Sequence, residues 1–329
     1  MSDIDKSLEQ LLGKATRRPV PDEAHVAEAR EALRAEWKRV AGRQQSRRRI
    51  LHFAVAATLL VTVFSVFNSL RQPVANQVLV ASIQKSFGSI YFVGDQSIMT
   101  PADSQRTIQL GETISTGTDA GIALAWLSGG SLRLDENTTV EFRDHKTVYL
   151  HQGQVYFDSI PSSLIAGARV AEPGSLAVET DYGRVTHVGT QFIVGVDDSV
   201  LQVSVREGRV DVAGRYYQRV AERGQQLQFA GRQQPALFSI DAYGEAWNWV
   251  AERSPAIEVD GRTVDEFLGW VGRELGRKIE YSDDARSLID ERLLGSVNDD
   301  PAEALRMHML TTGLVAEFGE GVIHVRTSN

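Results

Sequence analysis

The spacing of apolar and polar positions changes character several times along this chain, and each change predicts a different kind of element. Ile4, Leu8, Leu11 and Leu12, and then Val26, Leu33, Trp37 and Val40, recur at helical spacing. Two short amphipathic helices are therefore expected in residues 1–49, separated by Arg17-Arg18-Pro19-Val20-Pro21, with Asp3 and Asp22 as candidate caps. Residues 50–70, ILHFAVAATLLVTVFSVFNSL, carry no charge. At about 1.5 Å per residue a helix of this length reaches roughly 30 Å, the thickness of a bilayer's hydrocarbon core, which predicts one transmembrane helix.

From Val78 to Phe238 the period shortens to that of strands. Strands are expected at 78–83, 88–93, 122–127, 131–134, 138–142, 147–150, 154–157, 176–179, 184–188, 191–196, 201–205, 209–212 and 226–229, with Gly129-Gly130 and Asp135-Glu136-Asn137 as turns. One unit recurs: Gly88-Ser-Ile, Gly153-Gln-Val and Gly208-Arg-Val each place a glycine two positions before a β-branched residue. Such recurrence predicts stacked β layers, as a β-solenoid or an elongated sandwich. Residues 159–174, with Pro161 and Pro173, read as a surface loop.

Beyond a connecting helix at 243–252 the helical period returns in alternation with strands. The expected order is strand 257–259, helix 263–275, strand 278–281, strand 293–297, helix 301–311, and strands 314–318 and 322–326. Asp300-Pro301 supplies a cap and a first-turn proline for the second helix. The fold class is thus multi-domain: a helical segment (1–49), a transmembrane helix (50–70), an all-β domain (78–238), a linker with its helix (239–256) and a small α/β module (257–329).

Charge orients this layout. Lys38, Arg39, Arg43, Arg47, Arg48 and Arg49 precede the apolar run, whereas only Arg71 and Lys85 follow it closely. Basic residues are retained on the cytoplasmic side, so the N-terminus is expected inside and residues 71–329 outside. Residues 1–49 carry net +4 and the rest net −12. Anionic lipid head groups explain the basic stretch, and no nucleic acid is predicted as a partner. There is no cysteine, so disulfides and thiolate chemistry are excluded and burial must stabilise the exported part.

Catalytic constellations are missing from the sequence: no phosphate loop, no His-Glu-x-x-His and no Gly-x-Ser-x-Gly. His145 and His151 lack a third ligand in the pattern, and the pairs Asp197-Asp198, Asp283-Asp284 and Asp299-Asp300 fall at turns or caps. No enzyme activity, cofactor, metal or small-molecule substrate is predicted. In residues 1–49 an apolar stripe ending in Trp predicts docking to a cytoplasmic partner through Val26, Leu33, Trp37 and Val40.

Five motifs carry a family resemblance. They are Leu110-Gly111-Glu112 with Ile114-Ser115-Thr116-Gly117, the hairpin Ser128 to Leu134, Leu150-His151-Gln152-Gly153-Gln154-Val155-Tyr156-Phe157-Asp158, Val188-Gly189-Thr190-Gln191-Phe192, and Val203 to Val210. In order and separation they resemble the FecR-like family of membrane-anchored sigma-factor regulators. The C-terminal module is similar to the short N-terminal domain of secretins and TonB-dependent receptors, through Val259-Asp260-Gly261-Arg262-Thr263-Val264, Leu294 to Val297, Asp300 to Leu305 and Thr312-Gly313-Leu314.

The resemblance implies a single-pass inner-membrane anti-sigma factor with a periplasmic C-terminus. Its implied partners are an extracytoplasmic-function sigma factor, the signalling domain of an outer-membrane TonB-dependent receptor, and envelope proteases that end the signal by stepwise cleavage. It also singles out the Gly189-Thr190 bond for self-cleavage, by attack of the Thr190 hydroxyl on the Gly189 carbonyl with His187 placed to move the proton. A glycine bulge within an ordinary strand is the alternative at that position. For the whole chain the alternative is an envelope scaffold that docks onto a secretin, with no transcriptional role.

Overall fold

The structure, a computed structural model, describes residues 22–38, 78–93, 97–99, 106–159, 175–230, 233–297 and 300–328. Two compact units divide the chain, Met1–Asn76 and Gln77–Asn329. In the first, the described residues form helix α1 (23–38). The first predicted helix, the predicted span 50–70 and Val40 lie outside the described residues. Among those residues no helix is long and apolar enough to cross a membrane.

The second unit opens with fifteen strands: β1 (Leu79–Phe87), β2 (Ile90–Val93), β3 (Ser97–Met99), β4 (Thr107–Gln109), β5 (Thr113–Thr116), β6 (Gly121–Trp126), β7 (Ser131–Leu134), β8 (Thr139–Asp144), β9 (Thr147–Asp158), β10 (Ala177–Thr180), β11 (Gly183–Asp197), β12 (Val200–Gly214), β13 (Gln218–Glu222), β14 (Gln225–Ala230) and β15 (Ala236–Ser239). Three predicted pairs of strands prove to be single long ones, β9, β11 and β12. Each bends at a left-handed glycine, Gly153 (φ 86°), Gly189 (φ 54°) and Gly208 (φ 77°), a conformation that costs other residues steric strain.

On one side of its bend β9 pairs with β8 and β10, and on the other with β7 and β11. β11 and β12 stay paired to each other through their bends, while β12 exchanges β14 for β13. Two faces of one continuous sheet therefore fold over a shared core, in which Phe142, Leu150 and Val185 of one face meet Leu132, Phe157 and Phe192 of the other. This answers the solenoid alternative, because nearly all pairings are antiparallel rather than the parallel coils a solenoid needs. The recurrent glycine unit marks where the chain crosses between faces. At Gly153 and Gly208 a Cβ would come within 2.3 Å of Thr138 Oγ1 and of the Gly189 carbonyl.

Helix α2 (Glu245–Glu252) follows, and lays Trp247 and Val250 against Tyr156 and Ile193 on the outer surface of the β domain. The C-terminal module then runs β16 (Ile257–Glu258), α3 (Val264–Leu275), β17 (Lys278–Tyr281), β18 (Ser296–Val297), α4 (Pro301–Thr312), β19 (Leu314–Phe318) and β20 (Val322–Thr327). Its strands form a β16-β18 pair and a β17-β20-β19 sheet. The predicted helices and strands of this module are all present, with ends that differ by at most three residues. Thr263 and Glu266 form a reciprocal capping box at the start of α3, and Asp300 accepts from the Ala302 and Glu303 amides at the start of α4.

Candidate functional sites

Three places carry features beyond those a stable fold needs. The first is α1. Its Ala, Glu, Arg and Leu residues favour helix, and neither Gly nor Pro interrupts it. Val26, Leu33 and Trp37 are seven and four residues apart, which brings them onto one face. Val26 is half-buried, whereas Leu33 and Trp37 are 71% and 74% exposed. Within the described residues this stripe covers nothing.

The second is the Gly189-Thr190 bond. Pairing between β11 and β12 slips between Val188 and Gln191, so the strand holds the glycine bulge that the sequence offered as the alternative. Gly189 is exposed and left-handed, and Thr190 is 1% exposed. The Thr190 amide donates to Ser159 Oγ at 2.8 Å and its carbonyl accepts from the Ser159 amide at 3.0 Å, while its Oγ1 is buried with no hydrogen-bond partner among the described residues. His187 is engaged elsewhere: Nε2 accepts from the Leu176 amide at 3.0 Å, and the ring lies 5.1 Å from Phe157 and 5.2 Å from Phe192. Burial lowers its pKa to about 4, so the ring is neutral near pH 7. No hydrogen bond joins His187 to Thr190.

The third is the seam between the β domain and the C-terminal module, which the sequence did not reveal. Arg133, on the outer side of β7, is 1% exposed and grips both carboxylate oxygens of Glu274 at 2.7 and 2.9 Å, and also donates to the Val250 carbonyl at 2.6 Å. Burial opposes its charge, but Glu274 outweighs that and raises its pKa. Arg273 donates from Nε to Asp158 at 2.9 Å and from Nη1 to Glu207 at 2.7 Å. Asp158 in turn accepts from Gln191 Nε2 at 2.9 Å, so a side chain of α3 is tied to the residue that follows Thr190. Arg253 completes the seam, 2.7 Å from Asp135 and donating to the Ala120 carbonyl.

His145 sits at the β8-β9 turn, and His151 Nε2 lies 3.6 Å from Glu141. Among the described residues no group of three His, Cys, Asp or Glu side chains is arranged to hold a metal.

Residues 112–211 match the family model for FecR protein. The chain is thus FecR-like over the β domain's central strands, and the match stops short of the C-terminal module. No curated protein matches the chain. Two crystal structures of a candidate anti-sigma factor from Parabacteroides distasonis are similar to it at 17% and 16% identity. Each alignment covers 66% of this chain and 99% of the other, with a TM-score of 0.35, a likeness that transfers neither fold nor role.

Proposed function

We propose that this protein is a single-pass inner-membrane anti-sigma factor. In this reading Val26, Leu33, Trp37 and Val40 hold an extracytoplasmic-function sigma factor in the cytoplasm. The β domain and the C-terminal module receive a signal from a TonB-dependent outer-membrane receptor, and envelope proteases pass it on by releasing the N-terminal segment. The carrying observation is the FecR match across residues 112–211. The uncovered Leu33 and Trp37 support it, because a wet apolar stripe ending in Trp is the usual form of a helix that docks. Capture of a sigma factor by tagged full-length chain, lost in a Leu33→Ala, Trp37→Ala double variant, is the expected result. Recovery of envelope proteins alone favours the scaffold reading.

A second reading concerns Gly189-Thr190. The left-handed glycine and the unpartnered, buried Thr190 hydroxyl support a single self-cleavage event. The hydroxyl oxygen attacks the Gly189 carbonyl carbon, the C–N bond breaks, and the hydroxyl proton ends on the freed Thr190 amine. Water then hydrolyses the ester to a Gly189 carboxylate and a free Thr190 hydroxyl. Purified full-length protein is expected to yield two fragments on a gel and Thr190→Ala protein one band; equal, intact bands reject the reading.

A further inference from the structure

A cleft of about 580 Å³ opens where α3 and β17 meet the bend of β12. Arg206, Arg223, Arg273, Arg277 and Lys278 all line it, in an exported part that is otherwise strongly acidic. Its two carboxylates are already committed. Glu207 holds Arg273 at 2.7 Å, and Asp265 accepts from the Tyr281 hydroxyl at 2.7 Å.

The cations are not matched in this way. Arg206 is 3% exposed, its guanidinium lies 4.2 Å over the Trp247 ring, its Nη1 donates to the Glu274 carbonyl at 3.0 Å, and its Nε is buried with no hydrogen-bond partner among the described residues. The neighbouring Glu274 carboxylate is taken by both ends of Arg133. Burial pulls the Arg206 pKa down, against the opposing pull of Glu274 and Asp158. Arg277 lies over the Tyr243 ring at 4.3 Å and donates to the Gly319 carbonyl, and among the described residues no carboxylate pairs with it. Arg223 and Lys278 are exposed and make no ion pair among the described residues.

A plainer explanation is that the carbonyl end of α3 attracts cations. It accounts for Arg206 Nη1, but it carries only about half a charge against four cations. Gly276 beside Arg206 is the left-handed C-cap of α3, where a Cβ would fall 1.9 Å from the Ala242 carbonyl oxygen and 2.8 Å from Arg206 Nε.

We propose that this cleft binds a small-molecule oxyanion carrying two or more negative charges, held by Arg206, Arg223, Arg277 and Lys278. Guanidinium groups suit planar or tetrahedral oxyanions, and the volume lies within the usual range for small-molecule sites. Because the walls come from both the β domain and the C-terminal module, the ligand joins the two.

The test is calorimetric titration of inorganic pyrophosphate into full-length protein in neutral detergent micelles. Saturable one-site binding that weakens with added salt is expected. Arg223→Gln and Lys278→Gln, both at exposed positions, should each weaken it about fivefold, while the melting temperature without ligand stays unchanged. Lys146→Gln, on the remote β8-β9 turn, should bind as wild type. Absence of saturable binding overturns the proposal, as does equal affinity in the Arg223→Gln, Lys278→Gln double variant. Binding of an acidic protein segment in place of pyrophosphate would equally overturn the small-molecule assignment.

Discussion

Helices α1 and α3 share a pattern, though not a composition, and meet opposite fates. Each is amphipathic and each carries Trp on its apolar face. In α3, Phe267, Leu268, Trp270 and Val271 are all buried, both ends are capped, and Arg273 and Glu274 tie the last turn to the β domain. In α1 none of the described residues covers Leu33 and Trp37, which are more than two-thirds exposed. Amphipathicity alone therefore does not tell an element of a core from an element of an interface. What separates them is that described residues supply a second face to α3 and none to α1.

The sharpest way to break this contrast is to truncate both stripes. Phe267→Ala is expected to cost about 4 kcal/mol, read as a large fall in the denaturant midpoint of the second unit. Leu33→Ala should shift that midpoint by less than about 0.5 kcal/mol and weaken partner capture instead. Next comes Glu274→Ala, which strands Arg133 and should cost about 3 kcal/mol; pairing Arg133→Met with Glu274→Leu should restore most of it. A smaller effect is expected from Thr263→Ala, about 1 kcal/mol from the lost cap of α3.

Acid gives the mildest separation. His187 is held neutral, with its pKa lowered by burial to about 4, and burial also lowers that of His308, which lies 5.0 Å from Phe267. The unfolded chain binds more protons than the native one between about pH 6.5 and 4. Stability of the second unit should therefore fall as pH drops through that window, and a His187→Gln variant should show a shallower loss. An equal slope in the variant would assign the acid sensitivity to other groups.

Much of this architecture was legible because burial imposes a period. Strands with one face on the core alternate, as in β8 and β14, and α3 and α4 carry complete stripes with cap residues. Of the strands that escaped notice, β13 and β15 are almost wholly exposed and leave no alternation to read, whereas β4 and β5 do alternate but are only three and four residues long, too short to show a period. The joined strands were split because a left-handed glycine reverses the facing of side chains, which mimics a turn. Of the candidate sites, the α1 stripe and the Gly189 bulge were visible as local patterns. The seam was not. Arg133 looks like an ordinary outward position in a hairpin, and its partner Glu274 lies 141 residues away.

The glycine bends also have a mechanical meaning. Since β9, β11 and β12 each run through both faces, neither face can peel away while the other stays whole. A pull applied to the C-terminal module passes through the arginine clamps into β7, β9 and β12 together. The β domain is thus built to yield to tension in one step rather than strand by strand, and its response to force is a threshold.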